Sequence, residues 1–326
     1  MNDRRWVALI GSELQLLSLI EARSEGLIDG HRVDVLVLGR YRPAVDLLSV
    51  VARAGLRVRV ASRRDLLALT QRPRVAVGDF FGQTTLLRLA RGGLSEVVVL
   101  EDGLSSLAAI MRPTASDTIV RPRLHRAPLL ARTIDSHAAR TIRDLVGRGA
   151  LHWMLSTGAA SVLERRHVPV AGMLHTHQFD ALRHLDPPKL GIERAITRVV
   201  VGSSYATRNL ISEAFYVEWL YTALSAEPET TLFVPHRDEA PIARHLAVAS
   251  GALVSTVPAS VERVVLALAQ LQRIDCLPST PALSLATLGH GERLVATGIP
   301  DDQWDPTTPM AFRSLAALTS TTRQPQ

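Results

Sequence analysis

Five short apolar runs in the first hundred residues alternate with segments of helical period, and that alternation narrows the fold more than any other feature. Residues 6–10 (Trp-Val-Ala-Leu-Ile) end at Gly11-Ser12, residues 32–38 end at Gly39-Arg40, and residues 56–60, 74–77 and 96–100 complete the set. Between them lie helical stretches at residues 13–23, 44–54, 65–70 and 84–90, the first with Leu14, Leu17 and Ile20 on one face and Leu16 beside it. Strands separated by short helices imply right-handed βαβ crossovers and a parallel sheet covered on both faces. In such doubly wound sheets the ligand crevice lies off the carboxyl ends of the strands. That rule singles out Gly11-Ser12-Glu13, Gly39-Arg40, Gly78-Asp79 and Glu101-Asp102-Gly103.

The stretch from residue 107 to 188 is less periodic and rich in Arg, His and Pro, and reads as helices with irregular connections. The α/β alternation then resumes. A strand over residues 197–201 ends at Gly202-Ser203-Ser204, and a long helix covers residues 210–224. A strand over residues 231–234 ends at Pro235-His236, and helices follow at residues 240–250 and 261–271. Strands at residues 273–276 and 294–297 close the pattern, and the polar tail from Thr319 reads as frayed. A chain of 326 residues is also about twice the usual single-domain length. Two doubly wound domains are expected, over residues 1–185 and 186–326.

Composition removes several function classes. The one cysteine, Cys276, lies in an apolar stretch, which excludes a disulfide scaffold and suits a buried small hydrophobe. The formal charge of +6, carried mainly by Arg, favours an anionic partner, although a solvated Arg-rich surface gives the same balance. Basic residues do not alternate with aromatics, so base stacking on nucleic acid is not expected. Neither a signal peptide nor an apolar run of bilayer length is visible, so the expected location is cytoplasmic. Peripheral contact with an anionic inner leaflet is compatible with this, since each Lys or Arg near such a surface contributes about 1 kcal/mol. Leu-rich helices are compatible with a homodimer without demanding one.

Three segments carry chemistry. Glu101-Asp102-Gly103 places two acids at a strand end, where repulsion and burial can raise one carboxyl and make it a general base. Phe233-Val234-Pro235-His236-Arg237-Asp238-Glu239 sets an imidazole and a guanidinium at another strand end beside a helix start, a place that attracts anions. Pro278-Ser279-Thr280 offers two hydroxyls suited to phosphate oxygens or to capping the next helix. Each segment alone also reads as a turn, a charged loop or a cap.

Taken in order, the three resemble the bacterial sialyltransferases of the lipooligosaccharide and polysialyltransferase type. That group carries an acidic-acidic-Gly motif, a His-Pro-like motif and a Ser/Thr pair. The opening Gly11-Ser12-Glu13-Leu14-Gln15-Leu16-Leu17-Ser18 with Glu21-Ala22 is similar to its amino-terminal pattern, with Ser12-Glu13 where the group has Ser-Pro. Gly78-Asp79-Phe80 and Val201-Gly202-Ser203 resemble its other strand ends. The resemblance implies a GT-B fold, two Rossmann-like doubly wound domains facing a central cleft, with the acceptor on the amino-terminal side and the nucleotide sugar on the carboxy-terminal side. It implies transfer of sialic acid or a related acidic sugar from a CMP donor to a glycan or glycolipid hydroxyl, with no metal or other cofactor. Asp102 would be the base, with Glu101 as fallback, and His236 the acid at the phosphate. Ser12, Asp79, Gly103, Gly202, Ser203, Pro235, Arg237, Ser279 and Thr280 would bind substrate. Asp102 and His236 must then meet across one nucleotide-filled gap.

Competing readings start from other residues. His175 and His177, with Asp180 and His184 nearby, suit a metal-dependent hydrolase site, and equally acceptor or donor binding or ordinary packed and surface histidines. The same architecture could use another nucleotide sugar, or bind one without turnover. Arg121, Arg123, His125 and Arg126 suit an acidic acceptor or a solvated basic loop, and Glu262 either orders the Ser/Thr segment or sits on a helix surface. Trp153 and Trp219 read as packing residues.

Overall fold

The computed structural model describes residues 5–30, 33–39, 41–62, 65, 73–110 and 129–320. Arg40, residues 66–70 of the expected third helix, and the basic run Arg121, Arg123, His125 and Arg126 lie outside these residues. The chain divides into two compact units, Met1–Leu185 and Asp186–Gln326.

The first unit is built on seven parallel strands: β1 (Trp6–Ile10), β2 (Val33–Val37), β3 (Leu56–Val60), β4 (Arg74–Val77), β5 (Glu96–Leu100), β6 (Leu151–Ser156) and β7 (Met173–His177). Their spatial order is β3-β2-β1-β4-β5-β6-β7. Every residue of β1 and β6 is buried, as expected where helices cover both faces of a sheet. At the β3 edge the sequence Leu-Arg-Val-Arg-Val leaves four of its five residues wholly or partly exposed, and the charges discourage pairing with another chain. The chain winds outward through β2 and β3 and then returns to lay β4 beside β1. Crossovers therefore leave β1 and β4 in opposite directions, which opens the crevice between their carboxyl ends.

Strands β6 and β7 fall inside the stretch that reads as irregular from sequence. Neither has a β-branched run: β6 is Leu-His-Trp-Met-Leu-Ser and β7 is Met-Leu-His-Thr-His. Their pairing with β5 and with each other holds them as strands. Trp153 of β6 is fully buried, packs on Phe80 with ring centroids 5.4 Å apart, and donates its indole N–H to the Ala171 carbonyl at 2.8 Å.

The second unit repeats the plan with five parallel strands: β8 (Arg198–Val201), β9 (Thr231–Val234), β10 (Leu253–Val254), β11 (Arg273–Cys276) and β12 (Leu294–Ala296). The order β10-β9-β8-β11-β12 puts its switch point between β8 and β11. Helix Glu213–Ser225 packs Tyr216, Trp219 and Leu220 into the core, with Trp219 stacked on Tyr216. Cys276 is buried, and loss of solvent pushes its thiol up to about 12, so it is a protonated packing group. Among the described residues no helix is long and apolar enough to cross a membrane.

One ion pair is set inside the second sheet. Arg198 on β8 donates to Asp275 on β11 at 2.7 Å with both side chains under 8 % exposed, and Arg273 reaches the same carboxylate from its exposed side at 2.9 Å. Removing one partner of a buried pair leaves the other desolvated and uncompensated. Asp275→Ala is therefore expected to cost about 3–5 kcal/mol of unfolding free energy. Arg273→Ala, at a half-exposed side chain, is expected to cost under about 1 kcal/mol. Urea denaturation of the two variants makes the comparison.

Candidate functional site

In the first unit one helix organises the strand ends. Ser12 follows β1 as the N-cap of α1 (Glu13–Ser24), its hydroxyl accepting from the Gln15 N–H at 3.3 Å. Sequence periodicity makes α1 amphipathic, yet every residue from Glu13 to Ala22 is buried. Gln15, Ser18 and Glu21 can be buried because other segments of the unit supply their partners. The Gln15 carboxamide accepts from the Gly11 N–H at 2.7 Å and donates to Asp102 Oδ1 at 2.8 Å. Ser18 Oγ lies 3.2 Å from His177 Nε2 at the end of β7, and Glu21 accepts from the Ala181 N–H at 2.7 Å.

Asp102, half-buried beyond β5, is held from two sides. Its backbone N–H donates to Ser106 Oγ at 2.7 Å, and its carboxylate receives Gln15. Gly103 turns the chain into helix Leu104–Ile110. Gly78, at the end of β4, leaves the space that Gln15 fills: a Cβ there would sit 2.0 Å from Gln15 Oε1 and 2.2 Å from its Cδ. Asp79 is half-buried one residue on, its carbonyl accepting from the Gly82 N–H at 3.0 Å.

Glu101 has a different place from the one expected of a fallback base. It is fully buried, and its carboxylate accepts from both the N–H and, at 3.0 Å, the hydroxyl of Ser156 at the end of β6. It belongs to the wall behind Asp102, because alternate residues of a strand and its extension face opposite sides. His177 Nε2 lies 3.6 Å from the same carboxylate. Ser18, His177 and Glu101 do not form a relay triad, since both partners face one ring nitrogen. Burial pushes the His177 imidazole down to about 3, so the ring is neutral.

The metal reading finds no support in this arrangement. His175 Nε2 lies 3.1 Å from His152 Nδ1, while His177 is engaged with Ser18. Among the described residues no group of three or more His, Cys, Asp and Glu side chains is placed to hold a metal ion.

In the second unit the expected residues gather at the ends of β8, β9 and β11. The backbone N–H of Asp238 donates to His236 Nδ1 at 3.0 Å. The neutral ring therefore carries its proton on Nε2, ready to donate. Burial, aided by the nearby Arg208 and Arg237 and opposed by Asp238, pushes the imidazole down to about 4. Arg208 donates to Asp238 at 2.7 Å, so two arginines flank this strand end. Pro235 is half-buried and Arg237 exposed.

Glu239 is the hub of this cluster. It accepts from the Tyr216 hydroxyl at 2.7 Å and from the N–H groups of His236 and Ala240, each at 3.2 Å. Tyr216 in turn accepts from the Ser203 N–H at 3.2 Å. Gly202 makes room for it: a Cβ would lie 2.0 Å from Glu239 Oε2 and 2.8 Å from the His236 nitrogen. Burial raises the Glu239 carboxyl above its ordinary range.

Ser279 and Thr280 follow β11 at the start of helix Thr280–Leu285, and Ser279 does not cap that helix with its hydroxyl. The Tyr205 hydroxyl bonds the preceding Pro278 carbonyl. Glu262 is buried and accepts from Ser284 Oγ at 2.5 Å, which ties it to the helix the hydroxyl pair opens and removes it from the surface. Gln15, Arg208, Tyr216 and Glu239 are the site residues that sequence reasoning did not assign. Gln15 and Glu239 stood within quoted motifs, whereas Tyr216 and Arg208 carried no local signal.

No protein-family model and no curated protein matches the chain, whereas solved structures do. The α/β-galactoside α-2,3-sialyltransferase of the luminous marine bacterium Photobacterium phosphoreum matches over 95 % of this chain and 94 % of its own, with TM-score 0.59 and 10 % identity. A 2,6-sialyltransferase from a Vibrionaceae Photobacterium species, solved with the donor product CMP and the acceptor lactose, matches over 97 % of this chain and 76 % of its own, with TM-score 0.55 and 10 % identity. A sialyltransferase from Photobacterium damsela matches over 97 % and 80 %, with TM-score 0.50 and 10 % identity. The likeness is one of fold, and that fold is the α/β architecture GT-B.

The buried imidazole of His177 has a measurable consequence. The unfolded chain takes a proton on this residue below 6.5, but the folded chain does not until about 3. Between those values the unfolded state binds more protons, so stability falls as pH falls through the window. His177→Gln is expected to flatten the slope of unfolding free energy against pH there by up to about 1.4 kcal/mol per pH unit. Denaturant titrations across the window check it.

Proposed function

We propose that this protein is a glycosyltransferase that moves sialic acid, or a related acidic sugar, from a CMP donor to a glycan or glycolipid hydroxyl. The observation that carries the reading is the pair of occupied switch points. The first unit ends its strands in a braced carboxylate, Asp102, and the second ends its strands in an imidazole N–H donor and two hydroxyls. The GT-B fold, matched to structures described as sialyltransferases, one of them holding CMP and lactose, supports it.

The chemistry follows from where charge develops. As the bond from the anomeric carbon to the CMP phosphate breaks, positive charge grows on the sugar and the electron pair goes to phosphate oxygen. The acceptor oxygen forms the new bond to that carbon and gives its proton to Asp102. His236 Nε2–H donates a hydrogen bond to the departing phosphate oxygen and stabilises the charge that grows there. Ser279, Thr280 and Arg237 bind the same phosphate. Gly202, Ser203 and Pro235 line the nucleotide side, and Ser12, Asp79 and Gly103 line the sugar side. Protein groups meet all the developing charge in this reading, so it requires no metal. We infer a cytoplasmic role in polysaccharide biosynthesis, as a monomer or homodimer, with arginines facing anionic lipid.

CMP should raise the melting temperature, as a ligand of the native state must, whereas UDP and GDP should not. CMP-sialic acid should be turned over in chelator. Asp102→Asn should lower kcat by about 10²–10⁴, and His236→Ala by about 10²–10³. His236→Gln should keep the CMP shift and recover part of the turnover, because Gln retains an N–H donor. A shift with UDP or GDP alone would move the donor to another nucleotide class.

A further inference from the structure

We propose that Gln15 is a positioning residue that aims the Asp102 carboxylate and favours its ionised form. The inference rests on Asp102 being the base for its functional meaning, but its physical content does not.

Gln15 is 3 % exposed, and a buried carboxamide must have both ends satisfied. Its orientation is decided by Gly11, whose backbone N–H can only donate. That N–H takes Oε1 at 2.7 Å, which obliges Nε2 to point at Asp102 Oδ1, 2.8 Å away. The amide cannot flip without setting Nε2 against an N–H and Oε1 against a carboxylate. Gln15 is thus locked as a donor to Asp102, and a donor to the charged form favours that form.

The lock is built from three strand ends. Gly11 closes β1, Asp102 lies beyond β5, and Gly78 at the end of β4 gives the amide its bed, where any side chain would displace it. The amide therefore spans the switch point and fixes the carboxylate on its far side. Among the described residues, other titratable groups on these and adjoining elements are Glu13, Glu21 and Arg23 on α1, Arg74 on β4 with Asp79 after it, Glu96 on β5 with Glu101 after it, His152 on β6, and His175 and His177 on β7, the last facing Glu101. All remain in the variants below, so they contribute equally to each titration.

Two substitutions of nearly equal volume separate this role from plain packing. Gln15→Met keeps the bulk and removes the donor, and Gln15→Glu keeps the shape but turns a second carboxylate toward Asp102. Losing a hydrogen bond to a charged group corresponds to about one to two pH units. In ¹³C-carboxyl NMR titrations, with Asp102 assigned through Asp102→Asn, the Asp102 midpoint should rise by about that much in Gln15→Met and further in Gln15→Glu. The acid limb of kcat/KM for CMP-sialic acid should move by the same amount, with KM for the donor within twofold. Thermal melts verify folding first, and if Gln15→Met does not fold, Gln15→Glu alone carries the test. An Asp102 midpoint unmoved in a folded variant would overturn the proposal, as would a loss of activity uniform across pH. If the wild type turns over no CMP sugar while the NMR midpoint still moves, the transferase reading fails and the Gln15 assignment stands.

Discussion

Four polar side chains spaced three residues apart along α1 and its N-cap, Ser12, Gln15, Ser18 and Glu21, anchor the helix against which the first unit's strand ends are set. Roughly 14 Å of helix axis separates the first from the last, close to the width of three strand spacings. The helix is therefore long enough to reach from the end of β1 toward the end of β7. It bonds in turn its own first turn, the residue after β5, the end of β7 and the short helix Asp180–Arg183 beyond. A helix buried on all sides would normally be uniformly apolar. This one tolerates a polar stripe because each member has a partner supplied by a different segment.

The second unit uses the same device with the charge inverted. In both, a glycine at the switch point leaves a bed for a side chain that collects donors: Gln15 over Gly78, Glu239 over Gly202. The first side chain is neutral and hands an N–H to an acid. The second is a carboxylate that gathers the N–H groups of His236 and Ala240 and the hydroxyl of Tyr216. It thereby fixes the backbone from which the His236 ring projects, while Asp238 selects the tautomer.

How much of this could be read in advance depended on whether the cause was local. Strands β1, β2, β4 and β5 announce themselves because runs of Val, Leu and Ile buried on both faces have few other fates. Strands β6 and β7 do not, since pairing alone makes strands of their His, Met and Trp residues. Asp102 and His236 are visible as polar residues at strand ends. Glu101 looks equivalent to Asp102 until β6 brings Ser156 to it, 55 residues along the chain. Gln15 is legible as part of a motif, but its purpose lies 87 residues away. Tyr216 reads as one more aromatic on a packed helix, because nothing nearby foretells that its hydroxyl joins Ser203 to Glu239.

The Arg198–Asp275 pair reaches beyond energetics into how the second sheet finds its alignment. β8 and β11 are apolar enough on their own to associate in more than one offset, since Val and Ile are nearly interchangeable along a buried strand. The two charges are not. Sliding one strand by a single residue would turn a guanidinium and a carboxylate to opposite faces and strand each in a dry interior. The native offset, with Ile274 beside Val199, puts both on one face and lets them meet, whereas any one-residue slip parts them. The pair acts as a key against mispairing, and the hydroxyl pair after β11 inherits its correct height beside Gly202 from that single match.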